Sequence, residues 1–326
     1  MIKTFKYMDL NKVSSEIRDI IDEKQKQVSL SFVEETHTYF IKDKSGDVVT
    51  NYPSVSTVIS QFYTPFPDLD NSYKKSGYDI VKQDEILKEW RGTASYATNM
   101  GSRVHYILEK KLLELYGSYK EVRKPIFECN EQQTEHGDNM IESGMRFVDL
   151  MHERGAVLLD TEMVLGSVDL GYTGQPDKVW LMKNQKGELG IVITDWKTNK
   201  PKNFEVHWYT KKMLPPFDNY DDTSLGHYYV QLPMYGRLLM DMLKGTKYEG
   251  VKFFGCVVVH LGVGGELTEY RVPKEVINTC FSMEPLPRIE HVFEYKQIYE
   301  EREESRKRKL TELKNDDNQN WWSSKK

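Results

Sequence analysis

The stretch that decides the fold reads Gly171-Tyr-Thr-Gly-Gln-Pro-Asp-Lys-Val-Trp-Leu-Met182, then Lys183-Asn-Gln-Lys-Gly187, then Glu188-Leu-Gly-Ile-Val-Ile-Thr-Asp-Trp-Lys197. Two runs rich in β-branched and aromatic residues flank a polar turn that contains glycine, which is the pattern of a β-hairpin. With the turn centred near Lys186, Asp177 and Asp195 lie equally far from the centre and fall directly opposite each other. Opposed side chains of an antiparallel pair share a face, with Cβ atoms about 5 Å apart. Like charges at that spacing repel, so the register asks for a cation between them.

Lys197 lies two residues beyond Asp195, and the period-2 alternation of a strand turns it to the same face. Trp196 then points to the other face, towards a core. The apolar run Ile191-Val-Ile-Thr194 just before Asp195 marks a buried strand, so these charges emerge from the interior instead of decorating an exposed ribbon. A hard cation held by Asp177 and Asp195 lowers the pKa of bound water and neutralises phosphate charge, the two tasks of phosphodiester hydrolysis. Lys197 is placed to orient the attacking water or to stabilise a pentavalent phosphate. Carboxylate ligands favour magnesium or manganese over zinc.

Two helical patterns accompany the hairpin. In Gly101-Ser-Arg-Val-His105-Tyr-Ile-Leu-Glu109, His105 and Glu109 are four apart on a helix made amphipathic by Val104, Ile107, Leu108, Leu112 and Leu115. A lone helix histidine is more often a core or surface residue, but beside the hairpin His105 reads as a metal ligand, whereas Glu109 reads either as an orienting group or as part of a solvated face. In Gln231-Leu-Pro-Met-Tyr235, an amide and a phenol sit one turn apart, and Pro233 marks an expected first turn of that helix. The alternative for Gln231 and Tyr235 is a partly buried face shared with Leu232, Met234, Leu238 and Leu239.

Taken in order, these four patterns resemble the PD-(D/E)xK nuclease superfamily and, more narrowly, its RecB-like exonuclease branch, and the Tyr52-Pro-Ser-Val-Ser-Thr-Val-Ile59 step after the N-terminal hairpin also resembles phage members and the mitochondrial genome maintenance exonuclease within that branch. Gly174-Gln-Pro-Asp177 and Asp195-Trp-Lys-Thr198 match its central motifs, and the other two match its histidine helix and its Gln-x-x-x-Tyr helix. The resemblance implies Asp177, Asp195 and Lys197 as catalytic residues and His105, Asp177, Asp195 and the Trp196 carbonyl as metal ligands. It also implies Gln231 and Tyr235 as contacts to nucleic acid or to the lysine. The implied fold is α/β, a restriction-endonuclease-like αβββαβ core with a mixed central sheet flanked by helices, plus an N-terminal hairpin and helical insertions. Thr161-Glu-Met-Val-Leu165 reads as the strand before the hairpin, with Glu162 either an auxiliary acid facing the site or, as such a residue more often is, structural or solvent-facing. Val251 to Val259 reads as a central strand, and Glu266 to Val272 as its partner.

The remaining sequence sets bounds. At 326 residues the chain suits one α/β enzyme with decorations. The expected divisions are residues 1–94 (a helix, a hairpin around Lys42 to Gly46 and helical decoration), 95–289 (the nuclease core) and 290–326 (a charged helix with a disordered tail beyond Leu313). A net charge of −5 argues against a generally basic nucleic-acid coat but leaves local clusters open. Three scattered cysteines, Cys129, Cys256 and Cys280, make neither a disulfide scaffold nor the four-thiolate set of an iron–sulfur cluster. No apolar signal segment follows Met1 and no run is apolar enough to span a bilayer, so the expectation is a bacterial or phage-infected cytoplasm.

Ser54 or Ser56 reads as a helix cap or a phosphate contact. Between residues 61 and 100, Tyr63, Phe66, Tyr73, Lys74, Lys75, Tyr78 and Trp90 read either as a single-strand channel or as core packing plus a solvated face. Lys200, Lys202, His207, Trp208, Tyr209, Lys211 and Lys212 follow the second hairpin strand as a strand guide or a surface loop. Trp321 and Trp322 offer a contact to a replication or recombination partner. The expected activity is an Mg²⁺- or Mn²⁺-dependent DNA exonuclease acting on single-stranded DNA. Its competitors are a structure-specific endonuclease and a non-catalytic nucleic-acid-binding subunit of a recombination or packaging assembly.

Overall fold

The computed structural model describes residues 9–33, 36, 38–42, 44–50, 52–117, 122, 124–200, 204, 211–284 and 290–323, with the backbone alone for 290–295 and 314–323. The chain divides into two compact units: a core unit of Met1–Tyr63 with Ala97–Pro287, and a helical unit of Thr64–Tyr96 with Arg288–Lys326. The divisions after residues 94 and 289 fall near two of these boundaries, but the N-terminal segment belongs with the core instead of forming a decoration. Val13, Ile17 and Ile21 on α1 (Leu10–Gln27) explain why, because all three are buried in the main hydrophobic cluster. Each such side chain contributes about 1.5–3 kcal/mol on burial.

The core unit is mixed α/β. Its main sheet has the order β10-β9-β8-β7-β4, from β4 (Val157–Thr161), β7 (Lys178–Lys183), β8 (Leu189–Lys197), β9 (Lys252–Leu261) and β10 (Leu267–Arg271). Only β8 and β9 run parallel, and the helix α6 (Ser224–Leu243) supplies the crossover that a parallel pair needs. A three-stranded sheet of β1 (Ser31–Val33), β2 (Thr38–Lys42) and β3 (Val48–Thr50) contains the expected hairpin around Lys42 to Gly46. A short ribbon, β5 (Leu165–Ser167) with β6 (Tyr172–Gly174), is inserted between β4 and β7.

Strict alternation along β7 and β8 feeds two cores. Val179, Leu181, Ile191 and Ile193 join α1, α6 and the short helix α2 (Val55–Ile59) in one cluster. Trp180 and Trp196 join Val104, Leu108 and Leu112, together with Met140, Phe147 and Val148 of the helix α5 (Glu131–Glu153), in the other. Trp196 therefore points into a core, and its ring meets Phe147 edge-on at 5.3 Å. Ser54 caps α2 by accepting the Thr57 N–H at 3.1 Å. The helix α7 (Lys274–Ser282) closes the unit against α6 through the buried Val276 and Cys280.

Two expectations change here. The strand before the hairpin is Val157–Thr161, and Thr161 to Leu165 is the connection that leaves it. Pro233 lies deep inside α6, which starts at Ser224 behind the N-cap Thr223. An interior proline costs about 3 kcal/mol, and the burial of Val230, Leu232, Met234, Leu238 and Leu239 around it offsets that cost.

The helical unit comprises α3 (Asp68–Lys75), the first part of α4 (Ile80–Leu115) and α8 (Glu290–Ser323). The tail expected to be disordered beyond Leu313 is helical to Ser323, and no glycine or proline interrupts the stretch from Glu290. Within this unit Arg306 bonds Asp84 at 3.0 Å and Glu303 at 2.8 Å, and Arg91 bonds Glu303 at 2.8 Å. No helix among the described residues is long and apolar enough to cross a membrane.

Candidate metal centre

The β7–β8 ladder pairs Lys178 with Thr194, Trp180 with Val192 and Lys183 with Leu189. Carried one step past Lys178, this register sets Asp177 opposite Asp195, about the centre read from the sequence. Asp177 lies in the bend before β7, and its Oδ2 accepts the Trp196 N–H of the neighbouring strand at 3.0 Å. Lys178 Nζ approaches the same oxygen at 3.3 Å and His105 Nδ1 at 3.4 Å. The Lys178 ammonium also sits 4.4 Å from the centre of the Trp196 ring and is almost wholly enclosed.

The electrostatics follow from this crowding. Burial alone would raise the Asp177 carboxyl, but Lys178, His105, Lys197 and the Trp196 N–H together hold it well below the ordinary carboxylate range. Burial pushes His105 down to about 4 against the pull of Asp177, so the imidazole is neutral at neutral pH. Its side chain nonetheless keeps 31% of its surface open, which leaves a route for an incoming group. An ionised carboxylate and a neutral imidazole are the protonation states that metal binding requires.

Asp195 behaves oppositely. Burial and the nearby Asp177 charge push it up to about 6, against the opposing Lys197. Lys197 Nζ stands 2.6 Å from Asp195 Oδ2 as a charge partner, but it approaches off the hydrogen-bonding direction. Among the described residues that buried oxygen has no hydrogen bond. Lys197 is itself held charged: burial would lower its pKa, but Asp195 with Tyr228 and Asp177 outweigh it and raise the pKa above the ordinary lysine value. Its ammonium lies 4.2 Å from the Tyr228 ring centre, and the Tyr228 hydroxyl donates to Asn199 Oδ1 at 3.2 Å.

Of the two readings the sequence leaves open for Glu162, the structure favours the one that faces the site. One ligand atom each from His105, Glu162 and Asp177 lie within 4.8 Å of one another. The backbone of Glu162 is left-handed, with φ of 46°, a conformation that costs a non-glycine residue about 1–3 kcal/mol. Two bonds hold it there: the Glu162 N–H donates to the Asp177 carbonyl at 3.0 Å, and the Gln175 amide donates to the Glu162 carbonyl at 3.3 Å. This kink ends β4 and turns Glu162 to the site, where continued alternation would have given another geometry. Glu109 accepts a long hydrogen bond from Thr161 Oγ1 at 3.4 Å, so it braces the strand end beside Glu162.

The Gln231-x-x-x-Tyr235 pattern reaches the same centre. Gln231 Nε2 donates to Tyr235 Oη at 2.9 Å across one turn of α6, despite Pro233 between them. Burial raises the Tyr235 phenol well above its ordinary pKa, and Asp195, Tyr39 and Asp177 add to the shift, so it is a neutral hydroxyl facing both carboxylates. Gly174 makes room for its ring, since a Cβ there would stand 2.6 Å from Tyr235 Cε1. Tyr228 lies seven residues before Tyr235 and so shares its helical face; that spacing was the available signal for a residue the motif alone does not include. Lys202, His207, Trp208 and Tyr209 lie outside the described residues.

With this geometry in place, comparisons with known proteins add little. No family model matches the chain, and no curated protein matches it. A solved structure described as "Crystal structure of SSO0001" aligns over 53% of this chain and 81% of its own at 15% identity, with a TM-score of 0.22, a likeness that carries no argument.

Proposed function

We propose that this chain is a metal-dependent deoxyribonuclease built on a restriction-endonuclease-like core, acting as an exonuclease on single-stranded DNA. The observation that carries the reading is the convergence of His105, Glu162 and Asp177 within 4.8 Å beside the Asp195–Lys197 pair. The succession α5, β4, β7, β8, α6, β9 supports an αβββαβ core with the β5–β6 ribbon as an insertion.

The donor set fits a hard divalent cation such as Mg²⁺ or Mn²⁺. Three carboxylates meet two lysines, so carboxylate oxygens outnumber the cations beside them and the centre has oxygen donors to offer. His105, Glu162 and Asp177 would hold the ion, with Asp195 across the ladder and the Trp196 carbonyl as the further ligands that the resemblance implies. A bound divalent cation supplies an acidified water and charge neutralisation for the phosphate. The protein's own groups do the remainder. Lys197, charged and steadied by the Tyr228 ring, stabilises the negative charge that develops on the phosphate and has no proton vacancy with which to act as a base. Lys178 and the Trp196 N–H keep Asp177 ionised and oriented. Gln231 and Tyr235 present an amide and a neutral phenol for contacts to the nucleic acid.

The test is end-labelled linear and closed circular single-stranded DNA incubated with Mg²⁺, Mn²⁺ or chelator. An exonuclease shortens only the linear strand, only with metal, and loses that activity in Lys197→Ala. Cutting of the circle assigns an endonuclease. Retained DNA affinity with no cleavage under either metal assigns a binding subunit and overturns the reading.

A further inference from the structure

Among the described residues, the strongly exposed aromatic side chains are Phe66, Tyr73 and Tyr78, and all three fall in one short stretch of the helical unit. Phe66 is 65% exposed and Tyr78 66%. Phe66 lies 5.8 Å from the Trp90 ring, which also has the Lys75 ammonium 5.6 Å from its centre. Tyr73 and Tyr78 meet edge-on at 5.4 Å. A protein surface gains nothing by leaving such rings wet, and exposed rings gathered in two pairs on one short segment point to an interaction site.

The backbone adds an independent mark. Gly77 and Tyr78 are both left-handed, with φ of 70° and 68°. The pair closes α3 with the Gly77 N–H on the Lys74 carbonyl and the Tyr78 N–H on the Tyr73 carbonyl. Glycine takes that conformation freely, whereas a tyrosine is strained in it. The strain holds a solvent-exposed ring beside Tyr73 instead of filling a core.

Charge selects the occupant. Asp70 pairs with Arg302, Asp84 with Arg306 and Lys88, Asp68 accepts the Tyr299 hydroxyl, and Asp79 caps the start of α4. Lys74, Lys75 and Lys82 stay exposed and make no ion pair among the described residues, with Glu85 and Glu89 the remaining acids on this part of α4. Exposed rings interleaved with lysines suit unpaired bases stacked on π-faces and a phosphate backbone beside them. We infer that this aromatic–lysine face of the helical unit binds single-stranded DNA. The inference rests on the nucleic-acid reading of the core unit for its ligand class, but on different residues.

The experiment is fluorescence anisotropy of a labelled oligothymidylate with the full chain, in chelator so that nothing is cut. The Phe66→Ala/Tyr73→Ala/Tyr78→Ala variant weakens binding by about tenfold for each ring that stacks a base, with duplex affinity unchanged. Lys74→Ala/Lys75→Ala/Lys82→Ala lowers the slope of log affinity against log salt by about 2. With metal restored, the ring variant cleaves saturating linear DNA at the normal rate with a raised KM. Wild-type affinity in the ring variant overturns the inference while leaving the nuclease reading intact, and so does a change of oligomeric state without a change in affinity. Loss of affinity in the ring variant, in a wild-type chain that cleaves nothing with either metal, sustains this face and removes the nuclease.

Discussion

Each unit buries a cluster of charges, and the two clusters are balanced in opposite ways. In the helical unit Arg306 is 7% exposed and pairs with Glu303 and Asp84, Arg91 joins Glu303, and each charge has an opposite within hydrogen-bond reach. In the core unit Asp177 and Asp195 crowd each other, Glu162 adds a third carboxylate, and one Asp195 oxygen has no hydrogen bond among the described residues. Buried charges of both signs in good geometry specify how helices dock. Buried acids that outnumber the lysines beside them, with their pKa values driven apart, mark a site poised for chemistry. The lesson is that burial of charge is uninformative until the signs and partners are counted.

The comparison can be broken from either side. The largest stability effect is expected for Arg306→Ala, which takes one charged partner from both Glu303 and Asp84, leaves them Arg91 and Lys88, and costs about 1.5–3 kcal/mol for each charged hydrogen bond lost; hydrogen exchange should localise the loss to the α4–α8 contact of the helical unit. Next comes Lys197→Ala, with an expected fall in cleavage rate of about 10²- to 10³-fold, measured with end-labelled DNA. Glu162→Gln should weaken Mn²⁺ binding by about 10- to 100-fold, read by metal titration of the full chain, whereas Glu85→Gln should leave it unchanged. Gly174→Ala forces a Cβ against the Tyr235 ring and should cost about 1–3 kcal/mol, read by denaturant midpoint.

The smallest effect at neutral pH concerns Glu303. Arg306 lowers its carboxyl, against burial and with Arg91, to about 2. A depressed acid stabilises fully above its ordinary value of 4.5 and loses that contribution as pH falls towards 2. Acid titration of helicity should therefore show a transition in that window in the wild type, and Glu303→Gln should remove it.

Much of the core site was legible because strands and helices have fixed periods. Counting outward from Lys186 placed Asp177 opposite Asp195, and the i, i+4 spacing placed His105 and Glu109 on one face. Glu162 was only half legible, as an auxiliary acid ranked below a structural residue, because the left-handed backbone that ends the strand at this position leaves no mark in the alternation. Pro233 was misplaced because local propensity favours a first turn, and the surrounding burial overrides it. The helical unit was divided differently because its ties, such as Arg91 to Glu303 at a separation of 212 residues, leave no periodic trace.

The register of the β7–β8 hairpin also works as a gauge. Both carboxylates hang at the same rung, about 20 Å along the ladder from the turn at Asn184 to Gly187. The sheet therefore sets their separation, and the turn is isolated from it. A peptide tag or a fluorophore grafted beside Lys186 leaves the spacing of the two acids untouched, which makes that turn the natural place to hold the protein on a surface for measurement.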